Sequence, residues 1–321
     1  MDREFITPSD EAQWHEMRAA DLTSTDVAAL FGLSPYKTRF ELWHEKKSGE
    51  VVRIKDNDRM KWGRRLEPAI AYGIAEDREW QVGPMKHYGR IPAERLGSSF
   101  DFYIAPTRGA MAEAILEIKT VDGLAFQRGW IIEDDYVEAP AHIELQVQHQ
   151  MLVSGLRRAY IGCLIGGNRI EVLEREADDQ VHAGIIAAAR DFWSSISEGR
   201  EPSPVMPDDA EAVIRMNQHA EPGKLIDARG DAVIASLVAR YAELGQQAKV
   251  ISDERDVVKA ELLQAIGDAE KVLLDGYSVS AGFTGPSAGT LVTPEMVGTY
   301  VGGRSGFRNL RVTTKKAKVA A

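Results

Sequence analysis

Three residues of this sequence have the types and spacing to do chemistry together: Asp101, Glu117 and Lys119. Asp101 lies in the apolar run SSFDFYIAP, and Glu117 and Lys119 lie in the next run, AILEIKT. If both runs are strands, alternation puts Glu117 and Lys119 on one face, with Leu116, Ile118 and Thr120 on the other. A hairpin of the two strands would set Asp101 beside Glu117, so that two carboxylates and an ammonium converge. On a solvated sheet face such a set is an ordinary cross-strand ion pair. Here the setting is apolar: Leu116 and Ile118 flank Glu117, and Asp101 sits among Phe100, Phe102, Tyr103 and Ile104. Charges embedded in apolar strands are costly unless paired or bound to a metal. Hard oxygen ligands from Asp101 and Glu117 suit Mg²⁺, which keeps several waters and bridges to phosphate; Mn²⁺ is expected to substitute. The backbone carbonyl of Ile118, between the two key side chains, is a candidate third ligand. Lys119 would orient an attacking water and offset the developing negative charge. The chemistry such a set would suit is metal-assisted phosphodiester hydrolysis.

Two further features border this set. Glu67, in WGRRLEPAIA, is either an exposed helical glutamate or a further carboxylate reaching the site from the preceding helix. Gln146 and Gln150 share one helical face with Ile143 and Val147, while Gln148 and His149 point elsewhere. An amide on an apolar face needs a partner. Gln146 either makes a core hydrogen bond or touches a metal-bound water or a substrate phosphate.

The elements that must position these residues follow from local pattern. Ser9 is the expected N-cap of a first helix carrying Trp14, Met17 and Arg18, and Thr23 or Ser24 that of TDVAALFG. FELWHEKKSG reads as a helix stopped by Gly49. Asn57 or Asp58 opens a longer one that Pro68 should bend or divide. QVGPMKHYG, SSFDFYIAP and AILEIKT read as consecutive strands of one sheet. AHIELQVQHQMLVSG is a helix from Pro140 to Gly155. RRAYIGCLIGG and RIEVLERE form a hairpin through a Gly-Gly-Asn turn, and DDQVHAGIIAAARDFWSSISEG is a closing helix. The order predicts an α/β (α+β) core with a mixed central sheet flanked by helices.

EPSPVMPDD reads as a linker. Beyond it come a long helix from about Ala228 to Ile266 and strand-like pieces near KVLLDGYSVSAG and FRNLRV. The expected division is residues 1–200 as the site-bearing domain, 201–227 as linker and short helix, and 228–321 as a helical and β appendage. Between Ile234 and Ala265 a heptad spacing can be read. One seam is Ile234, Tyr241, Ala248, Arg255 and Leu262; the other is Leu237, Leu244, Ile251, Val258 and Ala265. It would pack on the chain's own C-terminal elements or on a neighbouring subunit.

Composition narrows the classes. The 321 residues, 44% hydrophobic and 27% charged, suffice for a buried core. No run resembles a membrane span and no signal peptide is read at the N-terminus, so a cytoplasmic protein of bacterial or viral type is expected. The single cysteine, Cys163, excludes a disulfide framework and four-cysteine metal or iron–sulfur sites. A net charge of -10 argues weakly against nucleic acid, but DNA needs only a local basic surface. Basic residues cluster at Arg59, Lys61, Arg64 and Arg65, at Lys37 to Lys47, and at Arg304 to Lys318.

Taken in order, WHEMR, TSTDVAALFGLSPYKT, ELWHEKK, WGRRLEPAIA, SSFD, EIK and QVQHQM-x-V-x-G resemble the YqaJ-type viral recombinase nucleases, relatives of the bacteriophage lambda exonuclease, over roughly residues 10 to 200. The resemblance implies a PD-(D/E)xK fold that digests one strand of linear duplex DNA from its ends, 5′ to 3′, as a closed ring, a trimer. It also implies a single-strand annealing protein as partner. Asp101, Glu117 and Lys119 resemble that family's metal ligands and lysine, Glu67 its upstream glutamate, and Gln146 its helix glutamine. Arg18 resembles the arginine that grips the 5′ phosphate, and Thr25 and Ser99 sit where hydroxyls assist it. Phe100 stands where the name-giving proline would, and nothing after about residue 205 has a counterpart in the lambda enzyme. The other readings are a RecB- or Cas4-like nuclease, a restriction-type endonuclease, or a catalytically silent DNA-end-binding module of the same fold.

Overall fold

The computed structural model describes residues 1–49, 57–133, 136–275 and 277–283. The chain divides into two compact units, Met1–Ile214 and Arg215–Ala321. The basic run at Arg304 to Lys318 and the strand-like FRNLRV lie outside the described residues.

The first unit opens with β1 (Glu4–Ile6) and α1 (Glu11–Ala20). Asp10, not Ser9, caps α1: its carboxylate accepts from the Gln13 amide at 2.8 Å. An anion there also meets the positive end of the helix. β2 (Leu22–Thr23) leads to the single turn α2 (Val27–Leu30). Neither Thr23 nor Ser24 caps α2. Thr23 is in the strand, and its hydroxyl and amide are both given to the carboxylate of Asp26, which flanks the turn without capping it. α3 (Arg39–Ser48) carries a full capping box between Thr38 and Glu41 and ends on the left-handed Gly49. α4 (Asp58–Arg78) starts at the Asn57 cap and runs through Pro68 as one helix, so of the two expected effects, a bend or a division, the division does not occur. A proline removes one hydrogen bond of the ladder; the buried face Ile70, Ala71, Ile74 and Ala75 beyond it anchors the rest of the helix.

The strands that follow serve two sheets rather than one. β3 (Gln81–Pro84), β4 (Tyr88–Ile91), β5 (Leu96–Ser98), β6 (Phe102–Ala105) and β7 (Ala114–Val121) come in sequence. Then α5 (Gly123–Gly129) and a small hairpin, β8 (Ile131–Glu133) with β9 (Tyr136–Glu138), precede α6 (Ala141–Ser154). β10 (Arg158–Ile165), β11 (Arg169–Glu176), α7 (Asp179–Glu198) and α8 (Ala210–Met216) complete the order. One sheet runs β11-β10-β7-β6-β3 and the other β1-β4-β5-β2. QVGPMKHYG is therefore split between β3 in the first sheet and β4 in the second. Likewise SSFDFYIAP leaves the second sheet at Ser98 and enters the first at Phe102. The cause is packing: Phe100 is buried in the larger core with α6 and α7, whereas Phe102 is buried in the smaller core under α4. In the first sheet β10 is parallel to β7 and the other pairs are antiparallel, so it is mixed, as expected. The parallel pair needs a long crossover, which includes α6.

Cys163 on β10 is fully buried, and burial pushes its thiol up to about 12, in keeping with a packing role. Gly97 on β5 admits no side chain, since a Cβ would stand 2.0 Å from the Tyr88 hydroxyl. In the second unit α9 (Ala232–Ile266), capped by Asp231, has no buried residue, and β12 (Lys271–Leu274) pairs antiparallel with β13 (Tyr277–Ser280).

Candidate active site

β6 and β7 pair antiparallel with Phe102 opposite Leu116, so one step further Asp101 stands opposite Glu117. Asp101 lies not in a strand but on the bend that crosses between the sheets. It is fixed from both ends. Its carbonyl accepts the Met85 amide at 3.0 Å, and its carboxylate accepts the Ile118 amide at 2.8 Å. In an extended strand a residue's N–H and C=O point to the same side, so the Ile118 carbonyl is also turned toward this edge. On β7, Leu116 and Ile118 pack in the core under α4, leaving Glu117 and Lys119 together on the opposite face, where their side chains meet at 2.5 Å.

α6 lies over that face. Gln146 donates to Glu117 Oε1 at 2.5 Å, and its own carbonyl accepts from Lys119 Nζ at 3.1 Å. One turn on, the buried Gln150 donates to Glu117 Oε2 at 2.7 Å and to the Ser99 carbonyl at 3.3 Å. Glu117 is thus held by three side chains while only 3% exposed. Reading the sequence placed Gln150 on this face but gave it no part in the site. The signal was its spacing of one helical turn from Gln146.

Electrostatics follow from the burial. Desolvation first, then the charge of Glu117, pushes the Asp101 carboxyl well above the usual carboxylate range. Burial works against the charge of Lys119, but Glu117 and Asp101 outweigh it and hold the ammonium above its ordinary range. Glu67, half-buried on α4, is raised by burial and by Glu117, which places it within electrostatic reach of the set. Among the described residues no group of three or more His, Cys, Asp or Glu side chains could hold a metal ion. What the site offers a cation is two carboxylates and a backbone oxygen. Those are hard donors, and a strained acid pair is relieved by a positive charge, so the residues fit a divalent cation such as Mg²⁺.

The expected end-binding residues gather beside the second sheet, on α1 and on the segments that follow β2 and β5. Arg18 on α1 lies over the Trp14 ring, 4.6 Å from its centroid, and donates to the Thr25 hydroxyl at 3.4 Å. The Trp14 indole N–H donates to the Ser99 hydroxyl at 2.8 Å. Below them Lys46 from α3 is buried. It donates to the Arg18 and Asp21 carbonyls at 2.8 and 2.7 Å and pairs with Asp26 at 3.0 Å. Burial alone would raise Asp26, but Lys46 and Lys37 hold it down at about 2. Lys37 and Lys46 are therefore spent inside the fold, and only part of the Lys37 to Lys47 cluster is a surface charge.

A family profile described as YqaJ-like viral recombinase domain matches residues 13–157. The uncharacterized protein YqaJ of Bacillus subtilis (strain 168) is 26% identical over 271 residues, covering 83% of this chain and 81% of that one. Among solved structures, an alkaline exonuclease (LHK-Exo) from Laribacter hongkongensis is similar with a TM-score of 0.44 and 16% identity, covering 59% of this chain and 93% of that one. A phage related exonuclease from Haemophilus somnus 129PT is similar with a TM-score of 0.38 and 12% identity, covering 56% of this chain and 96% of that one. Every site residue from Trp14 to Gln150 falls inside the segment, residues 13–157, that is similar to the YqaJ-like viral recombinase domain.

Proposed function

We propose that this protein is a divalent-metal-dependent exonuclease that degrades one strand of linear duplex DNA from a 5′ end, leaving 3′ single strands for recombination by annealing. The observation that carries the reading is the meeting of Asp101, Glu117 and Lys119 where the bend before β6 reaches β7, with Gln146 bonded to both members of the Glu117–Lys119 pair. Asp101, Glu117 and the Ile118 carbonyl would hold the cation, which is Mg²⁺ in this reading and replaceable by Mn²⁺. When bound, it supplies Lewis-acid polarisation of the phosphate and a more acidic water. Lys119, kept charged by two carboxylates, holds an attacking water by hydrogen bonding and balances charge on the phosphate oxygens. Gln146 keeps Lys119 and Glu117 in register. Glu67 adds negative charge from α4. Arg18, Thr25 and Ser99 form the pocket for a terminal 5′ phosphate, and this sets the polarity.

In this reading the active species is a homo-oligomeric ring, a trimer, acting in the cytoplasm beside a single-strand annealing protein. No helix among the described residues is long and apolar enough to cross a membrane. The nuclease domain takes in residues 1–200 and the remainder is an appendage.

Linear and supercoiled plasmid incubated with Mg²⁺ test the reading. Degradation of linear DNA alone, lost in excess chelator and in Asp101→Ala and Lys119→Ala, is the expected result. Cutting of closed circles would favour a restriction-type enzyme. Undiminished activity in chelator would overturn the mechanism.

A further inference from the structure

We infer that Gln150 is a positioning residue that couples the grip on a DNA end to Glu117, one of the two carboxylates that would hold the cation. This rests on the reading of Arg18 and of Glu117 given above.

The contacts form one unbroken path. The Arg18 guanidinium lies over the Trp14 ring, and the Trp14 N–H donates to the Ser99 hydroxyl at 2.8 Å. The Ser99 carbonyl accepts from Gln150 Nε2 at 3.3 Å, and the same nitrogen donates to Glu117 Oε2 at 2.7 Å. A primary amide carries two N–H bonds in a fixed plane. Spending one on Ser99 and the other on Glu117 therefore fixes the separation of the two. Ser99 stands two residues before Asp101, so the same amide also braces the bend that presents the other carboxylate.

Stability does not explain the choice of residue. Gln150 is 1% exposed, and its Oε1 has no hydrogen-bond partner among the described residues. A buried unpaired acceptor costs about 1–3 kcal/mol, a cost that an apolar residue of similar shape would avoid. What the amide supplies is the pair of donated bonds, one to each half of the site. A phosphate drawing on Arg18 would shift Trp14 and Ser99, and through Gln150 would reset Glu117 for cleavage. An unphosphorylated end leaves that path unused.

Gln150→Met keeps the volume and removes both donors. Trp14→Phe keeps an aromatic ring, though a smaller one, under Arg18 and removes the N–H. Affinity and single-turnover cleavage are measured on duplexes with 5′-phosphate or 5′-hydroxyl ends, at saturating Mg²⁺, for the wild type, R18A, Q150M, W14F and R18A/Q150M. The wild type is expected to bind phosphorylated ends more tightly and to cleave them about tenfold faster, R18A to lose both preferences, and Q150M to lose the second alone. W14F should lose at least about threefold of the rate preference, and R18A should cost no further rate in the Q150M background. A merely structural role for Gln150 would lower binding and rate together on both ends. Retention of the rate preference in Q150M, or multiplying losses in the double variant, would overturn the inference. If Q150M fails to fold by circular dichroism, W14F decides, and an unchanged rate preference there is also fatal. Wild-type protein that cleaves but ignores the end phosphate refutes the Arg18 reading, and protein that does not cleave at all refutes the hydrolytic one.

Discussion

The acid pair at the centre of the site works against the fold that carries it. Burial and then Glu117 raise Asp101, so the folded chain prefers the protonated carboxyl. A group with a raised folded pKa stabilises fully below its unfolded value, and that contribution is lost as pH rises through the folded one. At pH 8, where the unfolded carboxyl is ionised, the raised Asp101 therefore burdens the metal-free protein. Asp101→Asn keeps an acceptor for the Ile118 amide and removes the charge. It is expected to raise the melting temperature in chelator at pH 8 by about 2–4 °C, with the gain gone near pH 4, while abolishing cleavage. Mg²⁺ should raise the melting temperature of the wild type but not of this variant. Calorimetry with and without metal at the two pH values checks both expectations. A less stable Asp101→Asn would show that Asp101 is a structural anchor instead.

At the scale of elements, two devices hold the halves of the site in place. One is His149 on α6, which is fully buried with Nε2 3.1 Å from the Gly97 carbonyl of β5 and is lowered by burial to about 4. The unfolded chain takes up a proton near pH 6.5 that the folded chain refuses until about pH 4. Stability should thus fall by up to about 3 kcal/mol as pH drops between those values. His149→Gln keeps a donor for Gly97 and removes the titration. Its stability in urea at pH 7, 5.5 and 4.5 is expected to decline less steeply than that of the wild type, and equal slopes would refute the assignment. The other device is the Lys46–Asp26 pair under α1 and β2. Lys46→Met leaves Asp26 buried with Lys37 as its remaining ion-pair partner. A loss of about 3–5 kcal/mol is expected by denaturant titration, since breaking a buried pair strands its partner. Weaker binding of phosphorylated ends should accompany it, because the Arg18 carbonyl loses its anchor.

Across the whole molecule, the proposed action on DNA has to be reconciled with an acidic chain. A ring requires only its inner surface to be basic, so a net charge of -10 is compatible with encircling a duplex. α9 carries both heptad seams with every residue exposed or half-exposed, including Leu237 at 65% and Ile251 at 64%. Ala248 and Arg255 weaken one seam, so in the proposed ring α9 would make a short contact with a neighbouring subunit rather than a long two-stranded coil. Light scattering is expected to show a homo-oligomer that Leu244→Glu with Ile251→Glu dissociates. In a trap-DNA assay the wild type should remove many nucleotides per binding event and the double variant few. A monomeric wild type at micromolar concentration would rule this out.

What the sequence determined by itself is whatever depends on neighbours a few residues apart. The pairing of Glu117 with Lys119, the α6 face that presents Gln146 and Gln150, the β10–β11 hairpin and the ends of α3, α6 and α7 all follow from period, cap and turn chemistry. Tertiary structure decided the rest, because it depends on partners far along the chain. The Trp14–Ser99 bond joins residues 85 apart and the Gln150–Glu117 bond residues 33 apart, and no local periodicity encodes either. SSFDFYIAP looks like one strand because its alternation is unbroken, yet its two phenylalanines, Phe100 and Phe102, belong to different cores. The chain must cross between sheets there, and that crossing is what turns Asp101 toward Glu117. Lys46 reads as one more surface cation. Only in the fold do the Arg18 and Asp21 carbonyls and the Asp26 carboxylate close around it and make its burial possible.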